Sequence, residues 1–398
     1  MKKLLMASAT TALMAGSAFA GSHDNEVKLG IILGFTGPIE SLTPAMAGGA
    51  EVAIQEVSDS GKLMGGAKVM PVRADSTCVD AAAASAAAER LITAEGVSGI
   101  MGADCSGVTG AILANVAVPN GMVMISPSAT SPGLSTAEDN GMFFRTAPSD
   151  ARQGEVLANV LIERGIKSVA VTYTNNDYGK GLSDSITAAY KALGGEVTAV
   201  TAHEDGKADY SAEVATLAAA GGDALVVAGY VDQGGPGVIR AALDTGAFDT
   251  FALPDGMIGS ALEANFGDEI DGSIGTVPGS DAADASMIVA KVAATGVDAS
   301  GPYVGESYDA AALIMLAMQA ANSTDPKAYS AKVMDVANAP GEKIAAGELG
   351  KALELIAAGK DIDYVGATAV ELIGPGEAAG GYREIEIKAG KITTAKYR

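Results

Sequence analysis

Compact apolar runs and longer stretches with helical spacing alternate along most of this chain. Residues 27–35, 68–75, 97–103 and 122–126 are apolar runs that predict β-strands, whereas 44–58, 80–93 and a stretch from about 107 carry the three-to-four spacing of helices. Strand and helix in alternation predict parallel βαβ units. The series pauses at Pro127-Ser128-Ala129-Thr130-Ser131-Pro132-Gly133, which reads as a loop, and an extended segment at 142–148 opens a second series. There, predicted helices 152–164, 179–193, 210–220 and 235–245 alternate with predicted strands 168–174, 196–202, 223–230 and 250–254. Two series of similar size predict an α/β protein of two Rossmann-like lobes, each a mainly parallel sheet between layers of helix. Beyond Gly279 the pattern turns helical, at 282–295, 307–321, 326–337 and 345–358. Two final strands, 367–372 and 382–388, flank the turn Gly374-Pro375-Gly376. No low-complexity tether separates the series, so short crossings are expected to join the lobes.

Composition narrows the class. A chain of 398 residues, 48% hydrophobic and 19% charged, can bury sizeable cores and is too apolar to be disordered. Acidic side chains outnumber basic ones 48 to 26, for a net charge of −22, and no basic run exists beyond Lys2-Lys3. This argues against nucleic acid or an anionic membrane surface as partner. Lys2-Lys3, the apolar residues 4–15 and Ala18-Phe19-Ala20 read as a secretory signal peptide, residues 1–20, cleaved after Ala20. Export would place the mature chain in an oxidising compartment. The only two cysteines, Cys78 and Cys105, are then expected to pair in one disulfide, with two buried free thiols as the alternative.

The inventory of chemical groups is poor in catalysts. The chain has two histidines, of which only His203 lies outside the N-terminal tail, and it carries no G-x-S-x-G, H-E-x-x-H or Walker A pattern. His203, in the acidic company of Glu204 and Asp205, reads as a surface residue. Neither a metal site nor a cofactor is called for, because two cysteines and two histidines supply no ligand spacing. Small and hydroxylated residues instead cluster where strands end and helices begin. Ser106, in Gly102-Ala103-Asp104-Cys105-Ser106-Gly107, can offer its hydroxyl beside unpaired helix N–H groups, an anion site. Ser128, Ala129 and Thr130 follow a neighbouring strand, at the edge where open α/β sheets bind ligands. In the second series the corresponding strand ends hold Tyr178, Tyr230 and Asp255. Two aromatic rings and a carboxylate facing an anion site would suit an amino acid zwitterion.

At this level of detail the sequence resembles the periplasmic solute-binding proteins of branched-chain (Leu/Ile/Val-type) amino acid ABC transporters. The resemblance rests on Gly34-Phe35-Thr36-Gly37-Pro38, Cys78 with Cys105-Ser106, Ile125-Ser126-Pro127-Ser128-Ala129-Thr130 and Phe144-Arg145-Thr146. It continues through Asp177-Tyr178-Gly179-Lys180-Gly181, Gly229-Tyr230, Pro254-Asp255-Gly256 and Ser307-Tyr308-Asp309-Ala310. It implies a type I periplasmic-binding fold, with lobe one formed by 24–147 plus 278–370 and lobe two by 148–277 plus 371–398, joined by three crossings. It also implies a Cys78–Cys105 disulfide and a ligand carboxylate held by Ser106, Thr130 and the backbone of Ser128 and Ala129. The amino group would go to the Thr130 hydroxyl, the Ser128 carbonyl and Asp255, under Tyr178 and Tyr230, with Tyr303 and Leu42 bordering the side-chain pocket. Leu42 stands where leucine-type binders place an aromatic residue, and Asp255 where they place the longer Glu. The expected function is a monomeric, non-enzymatic periplasmic receptor for a branched-chain, small neutral or 4-aminobutyrate-like ligand, delivered to an inner-membrane permease. The other readings are a sensor domain acting on a separate partner protein and, more remotely, a periplasmic hydrolase.

Overall fold

The computed structural model describes residues 26–281 and 283–398, so the expected signal peptide and its cleavage after Ala20 lie outside the described residues. Strands β1 (Glu26–Leu33), β2 (Lys68–Asp75), β3 (Ile100–Gly102), β4 (Met124–Ser126) and β5 (Phe143–Arg145) come from the first series. The second supplies β6 (Ser168–Thr174), β7 (Glu196–His203), β8 (Ala224–Ala228), β9 (Phe251–Leu253) and β10 (Ile274–Pro278). The last third adds β11 (Glu342–Ala345), β12 (Ile362–Gly366), β13 (Leu372–Ile373), β14 (Glu377–Ala378), β15 (Tyr382–Lys388) and β16 (Lys391–Tyr397).

These strands form two seven-stranded sheets, β13-β14-β5-β4-β3-β1-β2 and β16-β15-β10-β9-β8-β6-β7, and a two-stranded β11-β12 pair. Each large sheet is parallel through its centre and turns antiparallel towards one edge, at β13-β14 in the first and at β10-β15 and β15-β16 in the second. The central strands β3, β4, β5, β8, β9 and β10 are buried at every position, because helices cover both faces of a parallel sheet. Edge strand β2 is instead mostly exposed or half-buried, with only Val69 and Ala74 buried. The two lobes expected from the sequence are therefore present.

The chain's last third departs from the expected pattern. The predicted strand at 367–372 is replaced by β12 and the two-residue β13, and β10 was not foreseen. Gly374-Pro375-Gly376 does not join the terminal strands: it turns β13 back onto β14, which pairs with β5 in the first sheet. The expected boundary between Val370 and Glu371 is therefore corrected, because β13 and β14 belong to the first sheet and the chain passes to the second only between Ala378 and Tyr382. The other passages lie between β5 and the helix Asp150–Glu163, and after β10.

The helix Val304–Ala321 is buried on nearly every face and packs along Thr43–Ser60. The two can approach because Gly49 lies against the Val304 carbonyl, where a Cβ would collide. Among the described residues no helix is long and apolar enough to cross a membrane.

Cys78 and Cys105 form the expected disulfide, tying the loop after β2 to the residue before helix Ser106–Ile112. The loop it closes spans 27 residues. Replacing both cysteines by Ala should lower stability by about 3–4 kcal/mol on chain-entropy grounds, read as an earlier urea midpoint with a slope equal to or steeper than that of the native chain, because the freed unfolded chain exposes more surface.

Candidate functional site

Loops at the carboxyl ends of five strands, β3, β4, β6, β8 and β9, meet between the lobes, and the fold explains how they are held. In the first lobe the buried Asp104 carboxylate accepts from Gly34 N (2.5 Å), Cys105 N (2.9 Å) and Ser76 Oγ (3.0 Å). Burial raises its pKa, and these donors oppose the shift. Together with the disulfide they fix the backbone just before Ser106. The Ser106 hydroxyl accepts the Ser131 N–H at 3.1 Å, which leaves its own proton to be donated outward.

The neighbouring loop winds around one serine. Ser126 Oγ donates to the Ala103 carbonyl at 2.5 Å and accepts from Ala129 N at 2.9 Å and Ser128 N at 3.3 Å. A buried guanidinium holds the far side: Arg145 donates to the carbonyls of Ala129 (3.0 Å) and Ser131 (2.9 Å), to Ser135 Oγ (2.6 Å) and to Glu377 of β14 (2.5 Å). The backbone of Ala129 is thus engaged on both sides. This departs from its expected role as a ligand donor, since its N–H and carbonyl serve to shape the loop. Thr130 is also enclosed: its carbonyl accepts Asp150 N at 2.8 Å, while its hydroxyl faces the Asp150 carboxyl.

The second lobe supplies the opposite wall. Asn176 caps the helix Asp177–Ala192 by accepting Gly179 N at 3.0 Å, which sets Tyr178 at the first turn facing the other lobe. Tyr178 and Tyr230 stack with ring centroids 5.2 Å apart. Asp255, 2% exposed, accepts from Tyr178 Oη at 3.1 Å and from the Tyr303 hydroxyl of the first lobe. Gly256 must be glycine here, because a Cβ would lie 2.6 Å from the Gly229 carbonyl and 2.7 Å from Tyr178 Oη. Further bonds close the cleft at its rim: Ser41 N donates to Asp232 Oδ2 at 2.8 Å and Asp232 N to the Pro38 carbonyl at 3.1 Å.

Of the expected residues, Leu42, Ser106, Ser128, Tyr178, Tyr230, Asp255 and Tyr303 line one cleft, joined by Ile39, Met46 and Gly256, which were not foreseen. Ala129 and Thr130 sit behind it. The remaining space is about 20 Å³, so side chains of the two lobes already touch. One end is hydroxylated and acidic, and the other, with Ile39, Leu42 and Met46, is apolar.

The acidic end holds a second carboxyl that sequence reasoning missed. Asp150, the first residue of its helix, is fully buried, and the Thr130 hydroxyl faces its carboxyl. Burial and then the charge of Asp255 push its pKa well up, against the Thr130 hydroxyl and the charge of Arg145. Burial likewise raises Asp255, and the Tyr303 and Tyr178 hydroxyls hold it back. The only hint in the sequence was the Ser149-Asp150 helix-start signal. Two buried acids with little compensating charge make a cation-binding chemistry.

His203 is corrected: it is 1% exposed at the inner end of β7, its Nδ1 paired with Thr172 Oγ1 at 2.8 Å. Burial lowers its pKa to about 4, so it is neutral. It lies beneath the Gly229–Gly234 turn and outside the cleft lining. Among the described residues no cluster of side chains suited to a metal occurs.

Comparison with known proteins agrees with this geometry. Residues 26–345 match the family model described as periplasmic binding protein. A leucine-, isoleucine-, valine-, threonine- and alanine-binding protein of Pseudomonas aeruginosa is 27% identical over 317 residues, 79% of this chain and 83% of that one. The crystal structure of a leucine-binding protein, LivK, from Thermotoga maritima superimposes with a TM-score of 0.77 at 22% identity, covering 93% of this chain and 98% of that one. A solute-binding protein of an R. palustris ABC transporter, in complex with 4-hydroxybenzoate, reaches 0.75 at 17% identity, covering 94% and 97%. The same fold thus surrounds ligands of different chemistry.

Replacing Arg145 by Met should cost about 3–5 kcal/mol, because Glu377 loses its partner and two loop carbonyls lose their donor. Urea unfolding measures it, and Arg145→Lys should recover only part, lacking the planar fork that reaches four acceptors at once.

Proposed function

Because the chain belongs to the periplasmic binding protein family, we propose that it captures a small neutral amino acid between its lobes and delivers it to an inner-membrane ABC permease. The observation that carries this reading is the pairing of opposite chemistries across one cleft. Ser106 offers a hydroxyl proton, Thr130 a hydroxyl behind it, beside Asp150, and Asp255 and Asp150 stand opposite as buried acids. A carboxylate on the serine side and an ammonium on the aspartate side would satisfy all four groups. The side chain then points to Ile39, Leu42 and Met46, where narrow space favours a short aliphatic group. The ligands named for the Pseudomonas relative, which include valine, threonine and alanine, support that class.

Capture works by closure. The ligand first meets the braced loops of the first lobe, and the second lobe brings Tyr178, Tyr230 and Asp255 over it. The closed state is favoured because only there does the ammonium reach both acids. No bond is made or broken, and the family relatives are binding proteins. Export to the periplasm with loss of residues 1–20, a monomeric state and the permease partner belong to the same proposal.

The Asp255→Asn variant should bind the ligand more weakly by roughly 2–5 kcal/mol, and Ser106→Ala or Thr130→Ala by about 1–3 kcal/mol each. Calorimetry on unfolded and refolded, ligand-free protein tests this, after a thermal-shift screen of amino acids, 4-aminobutyrate and aromatic acids. Undiminished binding in all three variants overturns the assignment.

Acid should also weaken binding. The Asp255 carboxyl has to be ionised to pair with an ammonium, and its pKa is raised in the free protein, so protons compete with the ligand as pH falls. Affinity should therefore decline on acidification in the native chain, and much less so in Asp255→Asn.

A further inference from the structure

A larger cavity, about 610 Å³, lies beside the chain passage at Pro278–Gly279, and Tyr303 lines both it and the cleft. That volume is in the range of sites for small organic molecules. Both lobes line it: Tyr303, Glu306 and Thr368 from the first, Arg383 and Tyr397 from β15 and β16 of the second, with Gly279 at the passage after β10.

Glu306 is the unusual member. It sits in the first turn of the helix Val304–Ala321, is 5% exposed, and also faces the small space enclosed by the chain passages at Thr146–Pro148, Pro278–Gly279 and Ala378–Gly381. Its carbonyl anchors one passage by accepting Thr146 Oγ1 at 2.8 Å. Its carboxyl meets its own backbone N–H, and among the described residues no other group donates to it. A buried carboxyl of this kind is costly unless a partner arrives. Arg383 lies close enough to stabilise its charge but forms no ion pair with it, and its guanidinium donates to Thr394 Oγ1 at 3.4 Å.

We propose that this cavity is a second ligand site, for a small alkylammonium cation whose ammonium group pairs with the Glu306 carboxylate between the lobes. The sign of the charge follows from the lining. Glu306 and Asp281 are two acids against one guanidinium, and the rings of Tyr303 and Tyr397 add the attraction of aromatic surfaces for ammonium groups. Because the site takes residues from both lobes, its occupant would bear on their relative position. It is independent of the amino acid reading of the main cleft.

Binding here is coupled to a proton. Burial raises the Glu306 pKa to about 8, with Asp309 one turn further along the helix adding to the shift and Arg383 opposing it. At pH 7 the acid is mostly protonated, so an arriving cation displaces its proton. Affinity therefore rises with pH from 6 towards 8.5.

The test uses n-butylammonium chloride as probe on the Asp255→Asn chain, which disables the acid of the main cleft. Calorimetry in two buffers of different ionisation enthalpy should show one site per chain with proton release at pH 7. Glu306→Gln in the same background should weaken binding at least tenfold and abolish the release, while Arg383→Met should strengthen it. Neutral n-butanol and anionic butyrate should not compete. Equal binding with Glu306→Gln, absence of binding at millimolar probe, or tighter binding of butyrate would each overturn the proposal. Should Glu306→Gln fail to fold, the direction of the Arg383→Met effect decides.

Discussion

A guanidinium with 1% of its surface exposed has to be paired in full, and Arg145 meets that demand with the carbonyls of Ala129 and Ser131, a serine hydroxyl and Glu377. Its partners are what make it consequential. The two carbonyls flank Thr130, so the loop presenting that hydroxyl is shaped from behind by a rigid fork of donors. Glu377 lies on β14, the last strand of the first sheet before the chain leaves for the second lobe. One side chain therefore fixes the inner wall of the cleft and the end of a chain passage at once. Its charge also reaches Asp150, lowering a pKa that burial and Asp255 raise.

The cleft is electrostatically unfinished, and that is its working state. Asp150 and Asp255 are buried on the side of the second lobe, and exclusion of water raises the pKa of both, with the charge of Asp255 adding to the shift at Asp150. The tyrosine hydroxyls on Asp255 relieve part of the cost. Tyr303 reaches Asp255 from the opposite lobe, so this carboxyl takes part in holding the lobes together. A ligand ammonium would compete with that hydroxyl and replace a neutral contact by a charged one.

Much of the architecture was legible because parallel sheets covered on both faces leave uninterrupted apolar runs. Leu225-Val226-Val227 could hardly be anything but a central strand. The elements that were missed are those where this signal is weak: β10 carries a glycine and ends in proline, and β11 and β12 hold Glu342, Lys343 and Asp363 among few apolar residues. The terminal hairpin was misjudged for another reason. Gly374-Pro375-Gly376 announces a turn but says nothing of which sheet receives the strands on either side. In the cleft, Ser106, Tyr178, Tyr230 and Asp255 could be found from the strand-end rule. Asp104, Arg145 and Asp150 could not, since a charged residue is read as solvated until the fold shows it buried. His203 failed in the same way, because the acidic pair Glu204-Asp205 beside it hides that β7 ends by turning inward.

The disulfide lies wholly on one side of the cleft. With Asp104 and Arg145 it makes the first-lobe wall a covalently and ionically stiffened bench, whereas Tyr178, Tyr230 and Asp255 hang from three separate strand ends with only noncovalent contacts. The two walls are therefore unequal in how freely they can vary. Changes in the hanging wall can alter how the second lobe settles over a ligand without loosening the bench, which carries Ser106 and the apolar Ile39, Leu42 and Met46. The manner of closure can drift over evolutionary time while the first-lobe surface is kept.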